Sequence, residues 1–400
     1  MRKTAPRRIK RLAIATTQGP AAALHRESQF VLRYRDEALD QPRLAIALAM
    51  PPRPEGYRAN TIPPVLAMNL PEGFLLGHIT DRFRKVMDID DMNLLALTSN
   101  PSAGRVWATA EEEIPDRPRD APAPVSLRDL LATPGTESLF ADLVERYALG
   151  TAVSGVQPKV SVPEAAPPAE RARLRTPDLI VKAAGPEWPG LAENEHLCLS
   201  MARACGLPVP DFWLSADRAL LVLRRFDVFT DGEYAGFEDM ASLTGRHPRD
   251  KYAGAYAEVA RAIREFAAPR HVPESLERFF RQLAFCCLIR NGDAHLKNWG
   301  LVYGDPVSAE EDARLSPAFD LVCTTVYLPR DVLALGLGGT KAWPARRALE
   351  RFAREHCGLT RPAAVIDEVI ERAMAFRPEE RTPMWKAIRA TIESAAATLR

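Results

Sequence analysis

No stretch of this 400-residue chain is apolar for the length a transmembrane helix needs. Charge of one sign is missing as well. Lys and Arg number 53 against 52 Asp and Glu, a net charge of +1, which excludes a global pull toward nucleic acid or an anionic membrane. Cysteine is scarce: Cys198, Cys205, Cys286, Cys287, Cys323 and Cys357 form neither a C-x-x-C pair nor a zinc-like spacing. Three of them lie in apolar runs, so buried free thiols and a reducing cytoplasm are expected. The glycine-rich phosphate motifs G-x-G-x-x-G and G-x-x-x-x-G-K-[ST] are absent, and so are internal repeats.

What is present is a globular composition, 46% hydrophobic and 26% charged, on a chain long enough for two or three packing units. The basic start "RKTAPRRIKR" reads as a flexible tail over residues 1–25. The "LAIATTQGPAAA" after it is too interrupted for a signal sequence. The 34 prolines cluster in loop-like stretches at 50–73 and 109–127, and the second of these places a boundary near residue 120. Between tail and boundary (26–120), "FVLRYRDEAL" and "RLAIALAM" read as strands, and "DIDDMNLLAL" opens a helix with acidic residues in its first turn. Residues 121–245 read as a small β-rich unit with strands in "TAVSGVQPKVSV" and "DLIVKAAG". A helix in "ENEHLCLSMARACGLPVP" and a hairpin turning near Asp217-Arg218 complete it. From 246 to 400 the period becomes 3.6. Tyr252, Tyr256, Val259, Ile263 and Phe266 make one apolar stripe, and "FFRQLAFCCL" is apolar enough to be a central helix.

Chemistry concentrates after that helix, in "NGDAHLKN", where Gly292 reads as the residue that lets the chain leave the helix. Asp293 and Asn298 have the D-x-x-x-x-N spacing of a kinase catalytic loop. There one residue must reach the attacking hydroxyl while the other holds a metal on the same phosphate. His295 and Lys297 are donors suited to phosphate oxygens. Downstream, Asp320 in "SPAFDLV" sits among apolar residues and needs a partner, a cation or an arginine. Upstream, Lys182 in "LIVKAAG" resembles the strand lysine that holds ATP phosphates, with Glu195 or Glu193 to orient it. The turn Ser154-Gly155-Val156-Gln157, with Lys159, offers backbone N–H groups and a cation to phosphates. Each signal is weak alone, but their order along the chain is that of a bilobal kinase.

With "SGVQPK", "LRRFDVF", "FEDM", "NGDAHLKNWGL" and "LSPAFDLV", the chain resembles the HipA-type serine/threonine kinases, toxins of type II toxin–antitoxin modules. The resemblance implies an α+β, bilobal kinase-like fold, with an extra N-terminal subdomain, a β-rich lobe and an all-α C-terminal lobe. It implies ATP and Mg²⁺ as cofactors, Asp293 as base, and Asn298 and Asp320 as metal ligands. Lys182 would meet the phosphates. The "FEDM" segment, Phe237 to Met240 with Glu238 and Asp239 between them, would supply the backbone hinge that meets adenine, and Ser154 would be the autophosphorylation candidate, since Ala152 stands where many relatives have a regulatory serine. Implied partners are a protein substrate such as an aminoacyl-tRNA synthetase and a helix-turn-helix antitoxin, with DNA reached only through the antitoxin. Two rival readings remain open, a small-molecule kinase of related fold and a catalytically silent module that binds an antitoxin or repressor.

Overall fold

The computed structural model of the protein describes residues 8–98, 103–111, 123–132, 137–147, 157–164, 177–185, 187–228 and 234–400. Its described N-terminal residues are not a tail. Strand β1 (Arg11–Thr16) lies inside a five-stranded antiparallel sheet with β2 (Gly19–Arg26), β3 (Phe30–Tyr34), β4 (Tyr57–Ala59) and β5 (Val106–Ala110), in the order β4-β3-β2-β1-β5. The reason is period-2 patterning beneath the positive charge: Leu12, Ile14 and Thr16 are buried, while Arg8 pairs with Asp88 and Arg11 with Glu111.

"RLAIALAM" also departs from expectation. It forms a 3-10 turn at Pro42–Leu44 and an isolated bridge between Ala47 and Met50. Side chains take the backbone groups a strand would use. The buried Arg105 guanidinium donates to the carbonyls of Arg43 and Ala45, and the Ile46 N–H donates to the Tyr34 hydroxyl at 2.9 Å.

The second sheet runs β6-β7-β9-β8, from β6 (Lys159–Pro163), β7 (Pro177–Ala183), β8 (Phe212–Leu214) and β9 (Leu220–Arg224). The β8–β9 hairpin turns where expected, with Arg218 left-handed at φ +61°. Alternate residues of β9 serve two cores. Leu220 and Val222 join the apolar cluster of the N-terminal sheet and its helices, whereas Leu221 and Leu223 join that of the C-terminal helices. One sheet is therefore packed on both faces, and the N-terminal part shares its core with the β-rich lobe.

The helix Leu191–Ala204 packs with the C-terminal helices Tyr256–Phe266, Val272–Leu288, Pro362–Ala375 and Pro383–Leu399. The helical lobe also takes in two short strands. Strand β11 (Gly300–Tyr303) joins β12 (Arg314–Leu315) to β10 (Gly236–Asp239), which connects the lobes. All six cysteines are buried and free. Among the described residues no helix is long and apolar enough to cross a membrane.

Candidate active site

A cavity of about 790 Å³ lies where the lobes meet, lined by residues of both and by Met68, Asn69, Gly73 and Phe74 of the N-terminal part. Its volume is in the range of small-molecule sites. On one wall, β6 and β7 pair so that Lys159 and Lys182 stand directly opposite each other. Strand β7 has neighbours on both sides, so Lys182 is not an edge lysine reaching for water. Its ammonium is buried and donates to Glu195 Oε1 at 2.6 Å. It also donates to Asp320 Oδ1. Of the two expected partners for Lys182, the structure selects Glu195; Glu193 instead lies 3.7 Å from the Arg218 guanidinium. Lys159 Nζ is 3.7 Å from the other Asp320 oxygen.

These charges set one another. Burial would raise the Asp320 carboxyl, but Lys159 and Lys182 outweigh it and hold it well below the usual carboxylate range. Burial would lower Lys182, but Asp320 and Glu195 reverse that and keep it cationic. Lys159, with a more distant partner and a like charge beside it, is pushed down by burial. Asp320 holds a left-handed backbone, φ +52°, uncommon for a residue with a side chain. Two buried amides flank it. Asn291 Nδ2 approaches the Asp320 carbonyl at 3.5 Å, and Asn194 donates to the Cys323 carbonyl while accepting from its N–H, at 3.1 and 2.9 Å. Asn194 sits next to Glu195, so one residue ties the glutamate helix to the Asp320 segment.

On the opposite wall, the helix Val272–Leu288 delivers the catalytic-loop candidates. The left-handed residue at its exit is Arg290, φ +54°, rather than Gly292. Glycine is required at 292 for a different reason: a Cβ there would strike the Asp331 carboxylate and lie 2.7 Å from the Val332 carbonyl. Gly292→Ala is therefore expected to destabilise the fold by about 1–3 kcal/mol. Gly77→Ala, on an exposed helix position with open space around it, should stabilise by about 1 kcal/mol. Urea denaturation of the two variants checks the contrast, and equal midpoints would remove the steric role assigned to Gly292.

Within the loop, the Asp293 N–H donates to Asn291 Oδ1 at 3.1 Å, and Asn298 Nδ2 donates to the Asp293 carbonyl at 2.8 Å. The Asn298 amide N–H is thus engaged, and its Oδ1 retains lone pairs for a cation. Asp293 Oδ1 accepts from the Tyr252 hydroxyl at 2.5 Å. Burial raises the Asp293 carboxyl, with the Tyr252 bond working against it.

The two expected phosphate donors, His295 and Lys297, differ in charge and in partners. Burial, helped by the neighbouring Lys251 charge, pushes His295 down to about 3, so its ring is neutral at physiological pH. The Lys297 ammonium lies 3.1 Å from Glu72 and donates to the Met68 carbonyl at 3.1 Å. Lys251 Nζ also meets Glu72, at 2.7 Å. Lys297 thus bridges the loop to the N-terminal part, which the spacing of "NGDAHLKN" could not reveal.

The β10 strand divides by its two-residue period. Phe237 and Asp239 line the cavity. Glu238 turns inward to accept from the Leu48 N–H at 2.8 Å and the Tyr303 hydroxyl at 2.7 Å, and Met240 is fully buried. The side chains of Glu238 and Met240 therefore turn away from the cavity; the contact expected of this segment is one of its backbone. Gln157 lines the cavity, whereas Ser154, Gly155 and Val156 lie outside the described residues.

Sequence reasoning missed Asn194, Asn291, Glu72 and Tyr252. Asparagine inside a helix was a signal for Asn194, since its propensity there is poor. Tyr252 was absorbed into an apolar stripe, but the helix begins at Tyr256.

Among the described residues no cluster of three or more His, Cys, Asp or Glu could hold a metal ion alone. One carboxylate (Asp320) and one amide oxygen (Asn298), both lining the cavity beside Lys159 and Lys182, are donors of the kind that suits Mg²⁺, which binds through few protein ligands plus substrate phosphates.

Comparison with known proteins gives the same outline. Residues 151–376 match the family model of the HipA-like C-terminal domain, and residues 12–109 that of the HipA N-terminal domain. The chain is 32% identical over 241 residues to "Putative kinase Y4dM" of Sinorhizobium fredii, covering 55% of this chain and 57% of that relative. It is 26% identical over 342 residues to "Putative kinase Y4mE" of the same organism, covering 79% and 78%. Its fold superposes on a chain from the Shewanella oneidensis MR-1 complex of HipA, HipB and operator DNA. The TM-score is 0.70 at 15% identity, over 97% of this chain and 98% of that one.

Proposed function

This chain belongs to the HipA-like kinase family, and on that premise we propose that it is an ATP- and Mg²⁺-dependent serine/threonine protein kinase. The observation that carries the reading is a convergence from distant parts of the chain. The Lys182–Glu195 pair, Asp320, Asp293 and Asn298 all border one cavity. A silent binding module has no physical need for that set.

The γ-phosphoryl group is transferred in line to a hydroxyl of the acceptor. The hydroxyl oxygen bonds to phosphorus, the bond to the β-phosphate oxygen breaks, ADP leaves, and Asp293 takes the hydroxyl proton. Asp320 and Asn298 would hold Mg²⁺, which when bound would neutralise charge on the phosphates. Lys182 is presented to the phosphates by Glu195, which fixes its direction. Lys182 and Lys159 both lie against Asp320, so nucleotide phosphates would compete with Asp320 for the two ammonium groups. The neutral His295 beside Asp293 contributes one N–H rather than a second positive charge.

A protein acceptor such as an aminoacyl-tRNA synthetase is part of the proposal. So are a helix-turn-helix antitoxin, with DNA reached through it, and autophosphorylation at Ser154. The antitoxin reading is supported by the fold-level likeness to a chain from a HipA–HipB–DNA complex. A cytoplasmic location goes with the six buried thiols. The test is incubation with ATP, Mg²⁺ and a cell extract, with phosphopeptides read by mass spectrometry. New phosphoserine or phosphothreonine on extract proteins is the expected result. Phosphorylated small molecules with no phosphoprotein would favour the small-molecule reading, and neither product would favour the silent module.

A further inference from the structure

The carboxylate of Asp293 accepts one hydrogen bond from the described residues, and it comes from outside the catalytic loop. Tyr252 lies in the connection that precedes the helix Tyr256–Phe266, yet its hydroxyl reaches Asp293 Oδ1 at 2.5 Å. The backbone of Asp293 is fixed separately, by Asn291 at its N–H and Asn298 at its carbonyl. Those bonds leave the carboxylate free to rotate about its own side-chain torsions. Tyr252 is what stops it.

The tyrosine is itself held on several sides. Its ring packs edge-on against His295, centroids 4.9 Å apart at 79°. The Lys251 ammonium lies 5.5 Å from its ring centroid. Its carbonyl accepts from Lys341 Nζ at 3.0 Å. The preceding carbonyl, of Lys251, accepts from the Leu296 N–H at 3.1 Å, which ties this segment to the catalytic loop. An apolar stripe residue would be covered, but Tyr252 is 42% exposed and lines the cavity. An exposed ring ordered by this many contacts, with its one polar atom on the proposed base, has a purpose other than core packing.

We propose that Tyr252 is a positioning residue for the acceptor side of the reaction: its O–H clamps Oδ1 of Asp293 and so presents Oδ2 to the incoming hydroxyl. This rests on the kinase reading above. A hydroxyl donor on Oδ1 removes that oxygen from competition, so the acceptor proton has one destination. No hydrogen bond joins Tyr252 to Lys182 or Asp320, so the KM for MgATP is the readout that separates the acceptor side from the nucleotide side.

The experiment measures initial rates of ³²P transfer from [γ-³²P]ATP to total cell-extract protein, across MgATP concentrations, for the full chain. Tyr252→Phe keeps the ring and its packing and deletes the donor. The apparent kcat should fall by about tenfold to a hundredfold, the cost of a misplaced reacting group. The KM for MgATP should stay within about twofold and the thermal midpoint should not move. Replacement of Tyr252 by 4-aminophenylalanine, which keeps a donor at the same place, should recover most of the rate. A wild-type rate in Tyr252→Phe overturns the proposal. So does a loss seen as a raised KM for MgATP, or one that 4-aminophenylalanine shares. Equal labelling by wild type and Asp293→Asn overturns the kinase reading itself, and the clamp with it. That outcome is distinct from a kinase indifferent to Tyr252.

Discussion

Asp293→Asn should abolish most phosphoryl transfer while the protein still folds and still binds MgATP. The amide keeps the size of the carboxylate and loses its basicity, so the hydroxyl proton has no acceptor. General-base catalysis of this kind contributes about 10²- to 10⁴-fold, and a loss of that order in kcat is expected. Nothing on the nucleotide side depends on the lost charge. Lys182 is held by Glu195 and Asp320, and Asn298 bonds the backbone carbonyl of residue 293, not its side chain. Calorimetric titration with MgATP should therefore give a Kd within a few fold of wild type.

Stability should hold or rise slightly, and the sign follows from linkage. Burial places the folded carboxyl of Asp293 above its unfolded value. The native state then binds more protons than the unfolded one between those two values, and stability falls as pH rises through that window. Removing the charge removes that cost at neutral pH. A variant that keeps more than about a tenth of the wild-type rate would sink the base assignment, since loss of a general base costs far more than that. A variant that loses MgATP binding together with activity would place Asp293 on the nucleotide instead.

Lys182→Met should be the most damaging single change to the fold of this site. It leaves Glu195, which is fully buried and whose Oε2 already has no hydrogen-bond partner, as an uncompensated charge. Breaking a buried pair from one side typically costs about 3–5 kcal/mol, read from urea denaturation. Adding Glu195→Gln removes the stranded charge and should return about 1–3 kcal/mol. MgATP binding should not return, because the phosphate contact belongs to the lysine. A double variant that regains MgATP binding would show that Lys182 serves only to neutralise Glu195. A single variant that loses less than about 1 kcal/mol would show that the pair is not desolvated as its geometry implies.

Much of this site is local in the chain, and that part was readable. The D-x-x-x-x-N spacing places Asp293 and Asn298 within one turn, so their proximity needs no tertiary information. The lysine strand was legible because a charge inside a β-branched run is conspicuous, and the helix after it because acidic residues, Gly206 and Pro208 punctuate it. Other features were misread because the same residues satisfy two descriptions. A basic N-terminus looks like a tail until alternate residues are seen to be buried, and Tyr252 fits a helical stripe until the helix is seen to start four residues later.

By itself the sequence determined the order of the elements, the two periodicities that separate β-rich from helical lobe, and the residue types able to handle phosphate. The tertiary structure alone decided which charges meet. It set Lys159 opposite Lys182, turned both onto Asp320, and brought Glu72 across from the N-terminal part to Lys251 and Lys297. It also put a phenol on the proposed base. The physical reason is that a charge can be buried only where a partner arrives with it. Here the partners come from 138 residues away for Lys182 and Asp320, and 179 for Glu72 and Lys251. Separations of that size are settled by how sheets and helices pack on shared cores, and no local pattern records them.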